Sequence, residues 1–161
     1  MHYLDFFDRL VTGLGLLQHD GVPLAKILDC DRIFVIGNGG SCAVASHVAN
    51  DYTKKLNKSI SALNDPAIMT CLSNDIGYEQ VYSEQLRRQG RGYGLIAISS
   101  SGKSASIINA ADLDRHSLLI TLSGFDPHNP LRTMGDGNYY IPSTDYGVVE
   151  ICHLAILHSL C

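Results

Sequence analysis

The sequence predicts an α/β fold in which parallel strands alternate with helices on both faces of the sheet. Short apolar runs, such as Arg32-Ile33-Phe34-Val35-Ile36 and Tyr93-Gly94-Leu95-Ile96-Ala97-Ile98, recur between stretches of helical periodicity. The stretches between them have the length of βαβ crossovers. Both of these runs lead straight into loops rich in glycine and hydroxyls, Gly37-Asn38-Gly39-Gly40-Ser41 and Ser99-Ser100-Ser101-Gly102-Lys103-Ser104. In parallel sheets such loops fall at the carboxyl ends of strands, where ligands bind.

The elements follow in order. Leu4, Phe7, Leu10, Val11 and Leu14 recur at helical spacing and place a first helix over 3–17, with a short second one over 22–29. The first strand covers 32–36, and the glycine loop opens a helix over about 41–56. Ser59 to Leu63 alternates as a strand does, and Pro66 starts a short helix over 66–73. A helix over 78–89 stops at the Gly90-Arg91-Gly92 turn; strand 94–98, the serine loop and a helix over 104–114 come next. Leu118 to Leu122 and Asn138 to Ile141 are the remaining strands, and 146–160 is the last helix. No internal repeat, low-complexity segment or linker divides the chain.

At 161 residues the chain can bury the core of one domain without disulfides or metal staples. Its net charge of −4 and pI near 5.9 leave no basic footprint, which excludes nucleic acid as the principal ligand. The five cysteines (Cys30, Cys42, Cys71, Cys152, Cys161) are odd in number, lack a close pair and sit mostly among apolar residues. That is the pattern of reduced cytoplasmic thiols. No apolar run is long enough to span a bilayer, and Met1-His2-Tyr3-Leu4-Asp5 does not read as a signal peptide. A cytoplasmic protein without membrane contact is expected.

The glycines let the backbone approach a ligand, and the helix behind each loop aims free N–H groups and its positive end at it. Two such loops point to a phosphorylated, hydroxyl-bearing ligand, such as a sugar phosphate. A dinucleotide fingerprint would need glycine where Cys42 stands, and a Walker A loop would need glycine at Ala97, inside a strand. Both are excluded.

Together with Ser73-Asn74-Asp75-Ile76-Gly77-Tyr78, the two loops resemble those of sugar isomerase (SIS) domains. More narrowly they resemble the phosphoheptose isomerases, in that family's order and spacing, from about residue 30 to the C-terminus. The resemblance implies a three-layer doubly wound fold with a five-stranded parallel sheet. It implies an SIS domain over 30–161, an oligomer-forming helical segment over 1–29, and a homotetramer with active sites between subunits. A divalent metal, zinc, one per active site, is implied as well. So is the activity: aldose–ketose isomerisation of a phosphorylated sugar, sedoheptulose 7-phosphate to D-glycero-D-manno-heptose 7-phosphate, within heptose biosynthesis.

The resemblance also implies roles for single residues. Asn38, Gly39 and Gly40, with Ser41 beside them, match positions that contact the sugar phosphate. Ser99, Ser100, Ser101 and Ser104 match phosphate-binding serines, whose hydroxyls and backbone N–H groups ring a phosphate without a fixed charge. Helix capping alone would not need so many serines. Asn74 and Asp75 match a pair that faces the sugar, and Lys55 falls near an arginine that approaches the ligand. His47 and Asp51, spaced i, i+4, share a helix face and form a metal-ligand pair; the family has His and Glu here, Glu being its base. Glu150 and His158 match a Gln and a His that serve as metal ligand and as catalytic acid or ligand.

Asp51 is therefore the candidate base, His158 the acid and Glu150 the reserve base, with His47, Asp51, Glu150 and His158 as the metal set. Glu150 and His158 lie about 12 Å apart along one helix. They can share an ion only if that helix starts irregularly or two subunits each contribute one residue. Gly147 stands where the family has an Asp close to the sugar. Tyr52, Tyr78 and Tyr146 could hydrogen-bond a sugar, though packing is the default for such tyrosines. His153, three residues after Glu150, is a competing partner or else a packed or surface histidine, and His2, His116 and His128 read as surface residues. The rival reading is a non-catalytic sugar-phosphate-binding or regulatory protein, kept open by the changes of Glu to Asp at 51 and of Gln to Glu at 150.

Overall fold

In the computed structural model, which describes residues 3–161, six strands form one sheet. Met1 and His2, the start of the segment read above as no signal peptide, lie outside the described residues. The strands are β1 (Gln18–Gly21), β2 (Arg32–Gly37), β3 (Ser59–Ala62), β4 (Tyr93–Ser99), β5 (His116–Gly124) and β6 (Gly137–Ile141), in the order β1-β6-β5-β4-β2-β3. From β3 to β6 the sheet is parallel. These are the five expected strands.

β1 is an addition, antiparallel to β6, with Gln18 opposite Tyr140 and Gly21 opposite Gly137. Gln18-His19-Asp20-Gly21 has no apolar alternation, and all four residues are exposed. The strand exists because the β6 edge offers unpaired backbone groups, not because its side chains are buried.

The helices are α1 (Tyr3–Gly15), α2 (Gly40–Leu56), α3 (Pro66–Ile76), α4 (Val81–Arg88), α5 (Ala105–Ala111) and α6 (Tyr146–His158). Strand alternation divides the core in two. Ile33 and Val35 of β2 join Val44, Val48, Val149 and Ile156 of α2 and α6 on one face. Phe34 and Ile36 join Leu72, Tyr82, Leu86 and Ile107 of α3, α4 and α5 on the other. From β2 the chain steps outward to β3, then returns past β2 to β4, β5 and β6. The loops after β2 and β4 therefore flank the point where strand order reverses.

α1, α5 and α6 end two or three residues short of expectation and β5 is two residues longer at each end, and four further differences change an element's type or extent. Residues 24–29 form a 3-10 segment, and so do 78–80 ahead of α4. α3 runs on to Ile76, where Gly77 at φ 91 ends it. An unexpected 3-10 turn, Pro130–Thr133, is capped by the Asn129 side chain accepting from the Arg132 N–H. α1 lies on α6, and Arg9 pairs with Asp145, whose carboxylate also caps α6 by accepting from the Val148 N–H.

His153 is fully buried; its Nε2 donates to the Ser123 carbonyl at 3.1 Å, and burial pushes its pKa down to about 4. It is a neutral packing residue. No helix among the described residues is long and apolar enough to cross a membrane.

Candidate active site

α2 and α6 lie side by side and run in the same direction. Gly40 meets Glu150 at their amino ends, and near the carboxyl end of α6 His47 meets His158 while the Tyr52 hydroxyl donates to the Leu157 carbonyl at 2.7 Å. Both amino ends thus open at the carboxyl edge of the sheet, where N–H groups and helix dipoles favour an anion.

A pocket of about 230 Å³ lies there. Asn38, Gly39, Gly40 and Ser41 form one wall and Ser99, Ser100, Ser101 and Ser104 another. Tyr146 and Glu150 of α6 complete it. Gly40 leaves room for the Glu150 carboxylate, which a Cβ there would push aside. The ten lining residues come from the end of β4, the loops after β2 and β4, and the first turns of α2 and α6.

The serine loop has hydroxyls to spare. Ser104 caps α5 by position without a side-chain hydrogen bond to its backbone, and its Oγ instead accepts from the Ser99 hydroxyl at 3.2 Å. The Ser101 hydroxyl accepts from the Lys103 N–H at 3.2 Å. Ser100 Oγ is buried and has no hydrogen-bond partner among the described residues. A buried hydroxyl without a partner costs free energy unless a ligand satisfies it.

On the opposite wall the Asn38 amide is fixed at both ends. Its Nδ2 donates to Ser106 Oγ at 2.9 Å and its Oδ1 accepts from the Tyr78 hydroxyl at 2.8 Å. The Tyr82 hydroxyl donates to the Gly37 carbonyl at 2.5 Å, bracing the same loop. Tyr78 is thus more than packing; its place in the third motif was the one signal available.

Glu150 is the only ionisable carboxyl in the lining, and burial raises its pKa above the ordinary glutamate range. Tyr146, for which packing was the default expectation and a sugar hydrogen bond the alternative, is exposed and faces the pocket.

A second constellation lies along the α2–α6 seam. His47 Nε2 and His158 Nε2 are 3.0 Å apart, and Asp51 Oδ2 is 3.7 Å from His47 Nε2 and 3.5 Å from His158 Nδ1. One donor atom from each residue lies within 4.8 Å of the others. Two imidazoles and a carboxylate are the donor set of a catalytic divalent centre with three protein ligands, so the residues fit a divalent cation. Lys55, expected near the ligand, instead donates to Asp51 Oδ2 at 2.9 Å. That ammonium holds the Asp51 carboxyl below the ordinary range, against the opposing effect of burial.

Three of the four expected metal donors therefore meet within one chain, and Glu150 does not. α6 is regular from Tyr146 onward, so an irregular helix start cannot bring Glu150 to His158. Asn74 and Asp75 also stay outside the pocket. α3 extends through both, and the Asn74 amide donates to Asp75 Oδ1 at 3.0 Å on its last turn.

No family model matches the chain. A phosphoheptose isomerase from Colwellia psychrerythraea is 32% identical over 157 residues, 90% of this chain and 80% of that protein. A phosphoheptose isomerase from a Bradyrhizobium species is 34% identical over 167 residues, 95% of this chain and 83% of that protein. The solved structure of phosphoheptose isomerase from Neisseria gonorrhoeae matches with a TM-score of 0.74 at 29% identity, over 96% of this chain and 84% of that one. With identity at this level over nearly the whole length and the same fold beneath it, the chain belongs to the phosphoheptose isomerase family.

Proposed function

We propose that this chain is an isomerase converting sedoheptulose 7-phosphate to D-glycero-D-manno-heptose 7-phosphate for heptose biosynthesis. One observation carries the reading: two anion-binding loops converge on a pocket whose lining holds a single carboxylate, in a chain of this family.

Moving a carbonyl between C1 and C2 takes a proton from one carbon, passes through an enediolate and returns a proton to the neighbouring carbon. The serine loop, with Ser100 Oγ still unsatisfied, holds the phosphate and so positions the reacting carbons at the other end of the chain. Glu150 is the base: it lines the pocket, and burial has raised its basicity. Asp51 is a poorer one, since Lys55 and two imidazoles already occupy it outside its own chain's pocket.

His158 faces His47 with Nε2 and Asp51 with Nδ1, which suits a ligand better than an acid. His47, Asp51 and His158 would hold a divalent ion, zinc by ligand chemistry, whose contribution when bound is to polarise the substrate's carbonyl and hydroxyl oxygens.

The seam is open to solvent around both histidines, which supports a cluster that serves a neighbouring subunit's pocket in a homotetramer. α1 supplies a means of assembly. Leu4, Phe7, Val11 and Leu14 repeat at the three-four spacing of a coiled-coil seam, and all are exposed. Val11→Glu is expected to dissociate the tetramer in light scattering and to lower activity with it; a monomeric, active parent protein would sink the shared-site reading. The five free cysteines suit the cytoplasm.

Turnover by metal-stripped protein, with and without zinc and with the product identified by NMR, tests the function. Zinc-dependent conversion is the expected result. Conversion without metal would keep the isomerase and remove the cation. Binding without conversion of heptose, hexose or pentose phosphates would establish a non-catalytic binding protein instead.

A further inference from the structure

Phe125 sits at φ 62, in the left-handed region that a bulky side chain rarely enters. It is pinned there from both sides: its N–H donates to the Ser143 carbonyl at 2.9 Å, and its carbonyl accepts the Tyr140 hydroxyl at 3.0 Å. Strain of this kind survives only where the surroundings over-determine it, and it concentrates at functional sites.

Here its result is a ring contact. The Phe125 ring lies 4.6 Å from that of Tyr146, tilted by 54°. Tyr146 is the first residue of α6 and lines the pocket, with Glu150 one turn behind it on the same helix face. Phe125 also borders the groove beside Ser101 and Lys103, so the aromatic pair spans from the serine loop to the mouth above Glu150.

We infer that Tyr146, buttressed by Phe125, determines specificity for the hydroxylated carbon chain of the substrate. The inference rests on the sugar-phosphate reading of the pocket. The Tyr146 ring offers its face to the C–H groups of a polyol and its phenol to a hydroxyl, an apolar body with a polar tip. The phosphate needs neither, because the serine loop and the two helix ends already serve it. Phe125 is the positioning residue: it restricts an otherwise exposed ring to one orientation.

The test compares the affinities of the protein for sedoheptulose 7-phosphate and for inorganic phosphate by titration calorimetry. Tyr146→Ala is expected to weaken the sugar phosphate about tenfold while inorganic phosphate changes less than about twofold. Tyr146→Phe should lose part of that difference. Phe125→Gly, which relieves the backbone, should still weaken the sugar phosphate several-fold, and Phe125→Tyr, which restores a ring, should rescue it. Equal weakening of both ligands, or of neither, in Tyr146→Ala overturns the inference. If the parent protein does not prefer sedoheptulose 7-phosphate to inorganic phosphate, the functional reading falls and the inference with it. A clear preference that ignores Tyr146→Ala sinks the inference alone.

Discussion

Glu150→Gln is expected to lower kcat about a thousandfold, on the order of 4 kcal/mol of transition-state stabilisation, as the loss of a positioned proton acceptor does. The substitution is nearly isosteric and leaves the side chain against Gly40, so folding should be unaffected. Its force comes from what glutamine means at this position. The family resembled by the sequence has Gln here and places its base where Asp51 stands. If Asp51 were the base in this chain, Glu150→Gln would restore the family arrangement and activity would hold or rise. Asp51→Asn supplies the other arm, expected to reduce metal affinity more than the rate of fully metal-loaded protein. Steady-state kinetics of the two variants side by side decide between the carboxylates. The pH profile adds an independent reading. A base must be unprotonated to act, and burial raises the Glu150 pKa. The acidic limb of kcat/KM in the parent should therefore lie above the ordinary glutamate range, with activity rising as pH climbs through it, and this limb should vanish in Glu150→Gln.

Gly102→Ala should cost about 3 kcal/mol or more of stability, lowering Tm by roughly 10 °C, and abolish phosphate binding. Two causes add. Gly102 has φ 64, which alanine adopts only with strain. A Cβ there would also occupy the position of the Asn129 side-chain amide. Asn129 cannot yield cheaply: it is buried, and its Nδ2 donates to Ser123 Oγ at 3.2 Å, the Gly124 carbonyl at 3.2 Å and the Asp126 carbonyl at 2.8 Å. Its Oδ1 accepts from the Arg132 N–H at 3.0 Å. Displacing it undoes the loop after β5 as well as the serine loop. Gly90→Ala is the control, with φ 81 but nothing within 4 Å of an added Cβ. It should lose only the backbone term, about 1 kcal/mol. Equal losses in thermal melts of the two variants would show that Asn129 is not the obstacle.

What could be read beforehand follows from how far each signal reaches along the chain. The glycine and serine loops were legible because the apolar run, the turn residues and the following helix are contiguous. The His47–Asp51 pair was legible because helical spacing alone puts both on one face, and the same rule would have exposed Lys55 as a partner of Asp51. β1 left no trace, since an exposed edge strand needs no apolar side chains. The position of Asn74 and Asp75 was not legible, because α3 runs past its expected end and takes both into its last turn. The Phe125–Tyr146 contact had no sequence signature: a positive φ at phenylalanine follows from the Ser143 and Tyr140 hydrogen bonds, which the fold alone assembles.

The parallel pairing of α2 and α6 acts as a ruler. The pocket and the donor cluster are marked off on the same two rods, so their separation is set by helix rise and no loop can adjust it. One residue inserted between Gly40 and His47 would turn His47 by about 100° and carry it off the seam, leaving the glycine loop untouched. Sequence drift in this protein is thus free to lengthen the turns at Asn57 or Gly90-Arg91-Gly92, while the spacing from 40 to 47 and from 150 to 158 is fixed as firmly as the residues themselves.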